Sequence, residues 1–191
     1  MAAKSPHDMM AAVAASMAER TGRTLEEWVA LVHASGIDPL DQNAVRRWLK
    51  TEHGVRQTSQ WAIADAAARA AGWVPPTVEE SIDQQYSGPK AGLRPIFDRL
   101  REIIESFGDD VAVEGRGTYT PFVRRRQFAA IAAATRSRVD VGLRYADPPA
   151  SELLTPATAP GQATHKLSLT SVDEITGEVE RLLRAAYDQN G

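Results

Sequence analysis

Val111-Ala112-Val113-Glu114-Gly115-Arg116-Gly117-Thr118-Tyr119-Thr120-Pro121-Phe122-Val123-Arg124-Arg125-Arg126-Gln127-Phe128-Ala129-Ala130-Ile131-Ala132-Ala133-Ala134-Thr135-Arg136-Ser137-Arg138-Val139-Asp140-Val141-Gly142-Leu143-Arg144-Tyr145 is the stretch that decides the fold. It reads as consecutive strands over Val111–Glu114, Tyr119–Arg124, Gln127–Ala134 and Arg138–Tyr145. The turns between them are largely arginine. The last strand alternates cleanly: Val139, Val141, Leu143 and Tyr145 on one side, Arg138, Asp140, Gly142 and Arg144 on the other. A fifth strand is predicted over His165–Leu169, with Leu167 and Leu169 on the apolar face and Lys166 and Ser168 on the polar one.

Helices flank this core. Leu93, Ile96, Phe97, Leu100, Ile103, Ile104 and Phe107 form one long stripe, with Pro95 near its start. Ile175, Val179, Leu182, Leu183 and Ala186 form another at the C-terminus, behind a capping-box pair, Ser171 and Glu174. Asp147 to Ala163 reads as an irregular loop. Upstream the chain reads as helix throughout. A first helix opens at Ser5-Pro6, carries Met10, Val13 and Met17 on one face, and ends at Gly22. Thr24 with Glu27 opens a second, Asp41 caps a third, and Thr58 or Ser59 caps a fourth through Trp61, Ala64 and Ala68. Trp28, Trp48 and Trp61 are the expected core of this bundle. Trp73-Val74-Pro75-Pro76 breaks the pattern, and the polar, acidic residues up to Gln85 read as linker, with at most one helical turn after Thr77. The expected fold class is α+β. An N-terminal helical domain covers 1–73, a linker 74–85, and an α+β domain 86–191, with a mainly antiparallel sheet covered on one face by two helices.

Composition narrows the chemistry. The 191 residues include no cysteine, which removes disulfides, thiol nucleophiles and thiolate metal sites. The longest apolar run, Phe128–Ala134, is far too short to span a membrane, and the N-terminus does not read as a secretory signal. The expected setting is the cytoplasm, with no membrane partner. Formal charge is −3, unevenly spread: between Gly115 and Tyr145, Arg116, Arg124, Arg125, Arg126, Arg136, Arg138 and Arg144 stand against Asp140 alone.

Several segments together resemble a bacterial family, domain of unknown function 5655. They are Tyr86-Ser87-Gly88-Pro89-Lys90, Leu93-Arg94-Pro95-Ile96, Arg124 to Ala129, Thr135 to Leu143, and Thr164 to Ser171 with the helix to Tyr187. Thr21-Gly22-Arg23-Thr24, Glu27-Trp28 and Arg47 to Gly54 are similar to a second family, domain of unknown function 4287. Neither resemblance implies an activity. Relatives of the second half are sometimes joined to nuclease-like domains, which implies a link to nucleic acid by association.

Catalytic motifs are absent from the sequence. His7, His33, His53 and His165 lack metal-ligand spacing. Gly115-Arg116-Gly117 lies between strands rather than before a helix, so it reads as a turn and not a phosphate loop. Asp110 followed by Glu114-Gly115-Arg116 puts arginine where a restriction-type nuclease needs lysine. No serine lies in a nucleophile elbow. Arg46, Arg47 and Lys50 lie together on the third helix, as on a DNA-reading helix, but residues 1–85 are net acidic, which opposes phosphate binding unless charge is segregated.

The leading expectation is therefore a non-catalytic binding or accessory protein, needing no cofactor or metal. It would bind nucleic acid or another polyanion through an exposed sheet face carrying Arg124, Arg125, Arg126, Arg136, Arg138, Arg144 and Lys166. One alternative is an enzyme acting on a small anionic metabolite between the domains with Asp140 and His165. Another is an interaction module that forms a homodimer through the sheet face or the alanine-rich fourth helix.

Overall fold

Helices build the first unit of the chain, Met1–Pro75, four of them among the described residues, and an antiparallel sheet with its helices builds the second, Pro76–Gly191. The computed structural model describes residues 15–191. The helix start expected at Ser5-Pro6, with Met10 and Val13, lies outside the described residues.

In the first unit α1 spans Met17–Thr21, α2 Leu25–Ala34, α3 Gln42–His53 and α4 Gln57–Ala70. Thr24 and Glu27 form the expected reciprocal cap of α2: the Glu27 amide donates to the Thr24 hydroxyl at 3.2 Å and the Thr24 amide to the Glu27 carboxylate at 2.8 Å. Asp41 accepts from the Ala44 amide at 2.9 Å and so opens α3. Met17, Trp28, Val32, Val45, Leu49, Ile63 and Ala67 form the core. Two expectations are corrected. Neither Thr58 nor Ser59 caps α4; Val55 is drawn into the core and its carbonyl receives the Gln60 side chain, so the helix begins at Gln57 with Arg56 in the cap position. Trp61 is not core: it is 46% exposed, on the face that carries Asp65 and Arg69.

The second unit begins with another correction. Val78–Gln85, expected as linker, is a helix, α5, with a complete capping box between Thr77 and Glu80. Val78, Ile82 and Tyr86 recur every four residues, and Ile82 and Tyr86 are buried in the core of this unit. A 3-10 turn, Gly88–Leu93, leads into α6, Arg94–Glu105, with Pro95 in its first turn where the missing N–H costs nothing.

Six strands follow: β1 Ala112–Val113, β2 Thr120–Val123, β3 Gln127–Ala133, β4 Val139–Leu143, β5 Thr155–Pro156 and β6 His165–Leu169. Every pairing is antiparallel, in the order β1-β2-β3-β4-β6-β5. A 3-10 turn, Val172–Glu174, precedes α7, Gly177–Asp188. Phe97, Leu100 and Ile104 of α6 and Leu182, Leu183 and Ala186 of α7 share one core with Val139, Val141 and Leu143 of β4 and Leu167 and Leu169 of β6, the α+β layering expected.

The opposite face of the sheet is not the open surface expected. Every residue of β4 is buried. The segment around Pro160 lies across Gly142, where an added Cβ would meet the Pro160 carbonyl oxygen at 2.5 Å and the Ala163 methyl at 2.9 Å. Glycine at 142 and alanine at 130 leave room for that chain to lie flat on the sheet. Within the same loop β5 pairs with β6.

Two substitutions check this packing by urea denaturation. Phe97→Ala is expected to cost about 3–5 kcal/mol, the usual loss for a large ring cut from a core. Gly142→Ala is expected to cost about 1–3 kcal/mol, because the atom it meets is backbone. An unchanged midpoint for Gly142→Ala would mean that the loop does not press on the sheet.

Candidate functional site

The seven cations expected to form a polyanion track have unlike fates. Arg124 is a structural residue. Its guanidinium donates to the Asp110 carboxylate at 2.8 Å and to the Tyr187 carbonyl at 2.8 Å, and lies over the Tyr187 ring at 3.7 Å from the centroid. The Tyr187 hydroxyl donates to the same carboxylate at 2.8 Å. The hydrogen bonds from Arg124 and then Tyr187 hold the Asp110 carboxyl below the usual carboxylate range. Arg144 donates to the Gln162 side chain at 2.6 Å. Arg125, Arg126 and Arg136 are exposed and have no ion pair among the described residues.

Arg138 and Lys166 converge on Asp140, which is 6% exposed. Lys166 Nζ and Ser168 Oγ donate to its two oxygens at 2.9 and 2.8 Å. Arg138 Nε lies 2.9 Å from Oδ1 as a charge contact, with its N–H too poorly aligned to count as a hydrogen bond. Burial by itself would raise the Asp140 carboxyl. The bonds from Lys166 and Ser168, with the charges of Lys166 and Arg138, outweigh it and hold the group below the usual carboxylate range. Asp140 is therefore a hub held in its ionised form, each of its oxygens with one hydrogen-bond donor.

Asp140 and His165 do not form one site. In the β4–β6 register Asp140 faces Ser168 and His165 faces Leu143, and strand alternation puts the two side chains on opposite faces of the sheet. His165 Nδ1 is 3.2 Å from the Thr164 hydroxyl, and its ring sits edge-on to Tyr145. Among the described residues no group of three or more His, Asp or Glu is placed to hold a metal ion.

A different basic surface stands out in the first unit. Arg46, Arg47 and Lys50 of α3 and Arg56 at the start of α4 line an open cleft of about 650 Å³ together with Gln60 and Trp61. Among the described residues lining it there is no Asp or Glu. Arg46 lies over the Trp61 ring at 3.5 Å from its centroid and donates to Asn43. Arg47, Lys50 and Arg56 have no ion pair among the described residues. Arg56 sits where a helix normally carries a side-chain acceptor, and the first turn of α4 holds no acid. This concentrates positive potential at one end of a helix in a unit whose eight Lys and Arg balance eight Asp and Glu. Sequence spacing placed Arg46, Arg47 and Lys50 together but missed Arg56 and Trp61. The available signal was that Trp61, Asp65 and Arg69 share a four-residue spacing, which marks a polar face.

The comparisons with known proteins match this two-part layout. The model of a domain of unknown function (DUF5655) matches residues 82–190. The chain belongs to the DUF5655 family. A second model, a domain of unknown function (DUF4287), matches residues 9–64, which hold α1 to α3 and the first half of α4. The DUF5655 match starts at Ile82 and so takes the second half of α5 into the same domain as the sheet. No curated protein and no solved structure matches the chain.

Two measurements test the roles assigned to charge in the DUF5655 unit. Arg124→Gln is expected to lower the urea midpoint clearly, because it takes away the Asp110 pairing, the partly buried bond to the Tyr187 carbonyl and the contact with the Tyr187 ring, whereas Arg125→Gln and Arg126→Gln should stay within about 0.5 kcal/mol. Equal effects would refute the structural role of Arg124. The depressed Asp140 carboxyl contributes stability that is complete above the ordinary carboxylate pKa and is lost as pH falls through its lower folded value. Asp140→Asn should therefore be less stable at neutral pH and should show a shallower acid-limb slope in urea titrations between about pH 7 and about pH 2. An unchanged slope would show that Asp140 is not the hub described.

Proposed function

We propose that this chain is a non-catalytic nucleic-acid-binding protein, that its partner is single-stranded, and that the α3–α4 cleft is where the strand sits. The observation that carries the reading is the cleft itself. Four cationic side chains converge there with no acid among the described lining residues, against a tryptophan that is 46% exposed. Cations follow a phosphate backbone, and an exposed indole or a stacked guanidinium offers a flat surface to an unpaired base. The bundle's formal neutrality is no obstacle, since its positive charge is segregated onto this end. The sheet-face track is the weaker support, because Arg124, Arg138, Arg144 and Lys166 already have partners inside the protein. The reading includes a bacterial cytoplasmic setting, in keeping with the cysteine-free, arginine-rich composition. Among the described residues no helix is long and apolar enough to cross a membrane.

Fluorescence anisotropy with labelled single-stranded DNA, single-stranded RNA and duplex DNA, over a range of salt, tests it. The triple variant Arg47→Gln, Lys50→Gln and Arg56→Gln is expected to weaken binding and to flatten the log–log salt slope by about 0.7 for each phosphate that is no longer neutralised. Trp61→Ala should cost about 1–3 kcal/mol if one base stacks there. Arg125→Gln with Arg126→Gln should change little. Absence of binding at low salt, or binding that survives the triple variant unchanged, overturns the proposal.

A further inference from the structure

The DUF5655 unit carries a second cleft, of about 590 Å³, remote in chemistry from the nucleic-acid reading. The end of α5, the 3-10 turn that follows, the β1–β2 loop and the end of β3 form its walls. Lys90 and Arg136 are its only charged lining residues among those described, and both are cationic. Lys90 is half-buried, and its ammonium is held by the Ala133 carbonyl at 2.6 Å. That bond uses one of three donors and supplies a dipole, not a countercharge. The charge is therefore positioned but not neutralised. Arg136 is exposed and has no ion pair among the described residues.

Gln85 in the same wall is 8% exposed. Its Nε2 donates to the Arg116 carbonyl at 2.9 Å and to the Thr120 hydroxyl at 3.3 Å. A backbone carbonyl can only accept, so this bond fixes which end of the amide is nitrogen. Oε1 is then a buried acceptor with no donor in the protein. Leaving such a group unsatisfied is costly, and a native fold keeps few of them. Ala132, Ala133 and Ala134 supply a small apolar surface beside these polar groups. The lining is mixed, with Gln84, Gln85, Lys90 and Arg136 beside these alanines, and convergent polar groups are what orient a ligand in a small-molecule site.

We infer that this cleft binds a small organic anion whose phosphate or carboxylate meets Lys90 and Arg136 and whose N–H or O–H donates to Gln85. The inference does not depend on the bundle cleft, and the two can fail separately. The test is isothermal titration of the full chain with three probes: inorganic phosphate, ribose 5-phosphate and glutamate. The sugar phosphate and the amino acid each pair an anionic group with a donor; inorganic phosphate separates plain charge attraction from recognition. Either organic probe is expected to bind more tightly than about 1 mM and more tightly than inorganic phosphate. The organic probe that binds distinguishes a phosphate ligand from a carboxylate one. Arg136→Gln, at an exposed position that leaves the fold intact, and Lys90→Gln should each weaken that binding about tenfold or more, the worth of one charged hydrogen bond. Arg125→Gln is the control and should not. If neither organic probe binds better than inorganic phosphate, or if Arg136→Gln and Lys90→Gln leave binding unchanged, the inference is wrong.

Discussion

A carboxylate on a strand buried along its whole length has to be neutralised where it stands. Asp140 on β4 is in that position, and the surrounding register follows from it. β6 must bring Lys166 and Ser168 alongside, and the residue just before β4, Arg138, supplies a second cation. A shift of one residue would turn Lys166 and Ser168 to the opposite face and leave the charge without its donors, at a cost that a marginally stable domain could not absorb. Two positions further along β4, Gly142 lets the loop around Pro160 lie on the strand. That loop helps to bury β4 on the second sheet face, and the cluster at Asp140 makes that burial tolerable.

The same economy of charge runs through the rest of this unit. Arg94 and Arg101 of α6 reach across to Asp83 and Glu79 of α5, each also pairing within its own helix. Such surface pairs contribute little individually, about 0–1 kcal/mol, but they consume the cations. Arg124 is held between Asp110 and Tyr187. Among the described residues, the cations with no carboxylate partner include Lys90, Arg125, Arg126 and Arg136 in the sheet unit, and Arg47, Lys50 and Arg56 beside the Arg46–Trp61 stack in the bundle. The functional proposals rest on these uncompensated charges and not on the density of arginine in the sequence.

Local rules are readable in the chain. Thr24 with Glu27 and Asp41 before α3 mark helix starts because each cap involves groups only three residues apart. Strand alternation in Val139 to Leu143 and the stripe from Leu93 to Ile104 give the layering, because period alone decides which side chains share a face. The differences between sequence and structure share a cause. Val78, Ile82 and Tyr86 are too few apolar residues to stand out in an acidic segment, yet they bury one helix. Trp61 reads as core on its apolar character, although its position on α4 faces solvent. The arginine turns read as a track because their partners are distant in the chain.

The sequence by itself determined the α+β class, the two-part layout, the helix starts at Thr24 and Asp41, the four strands from Ala112 to Leu143 and the absence of thiol chemistry. Those depend on composition and on interactions within a few residues. Only the tertiary structure decided that the loop around Pro160 covers β4 on the second sheet face, that Asp140 is a paired hub set apart from His165, that Arg124 is tied into the fold, and that Arg56 and Trp61 join Arg46, Arg47 and Lys50 around one cleft. Each of these depends on side chains brought together from separate elements, as when Asp110, Arg124 and Tyr187 meet. A charge's effect is set by what lies within a few ångströms of it, and chain folding, not chain order, fixes that neighbourhood.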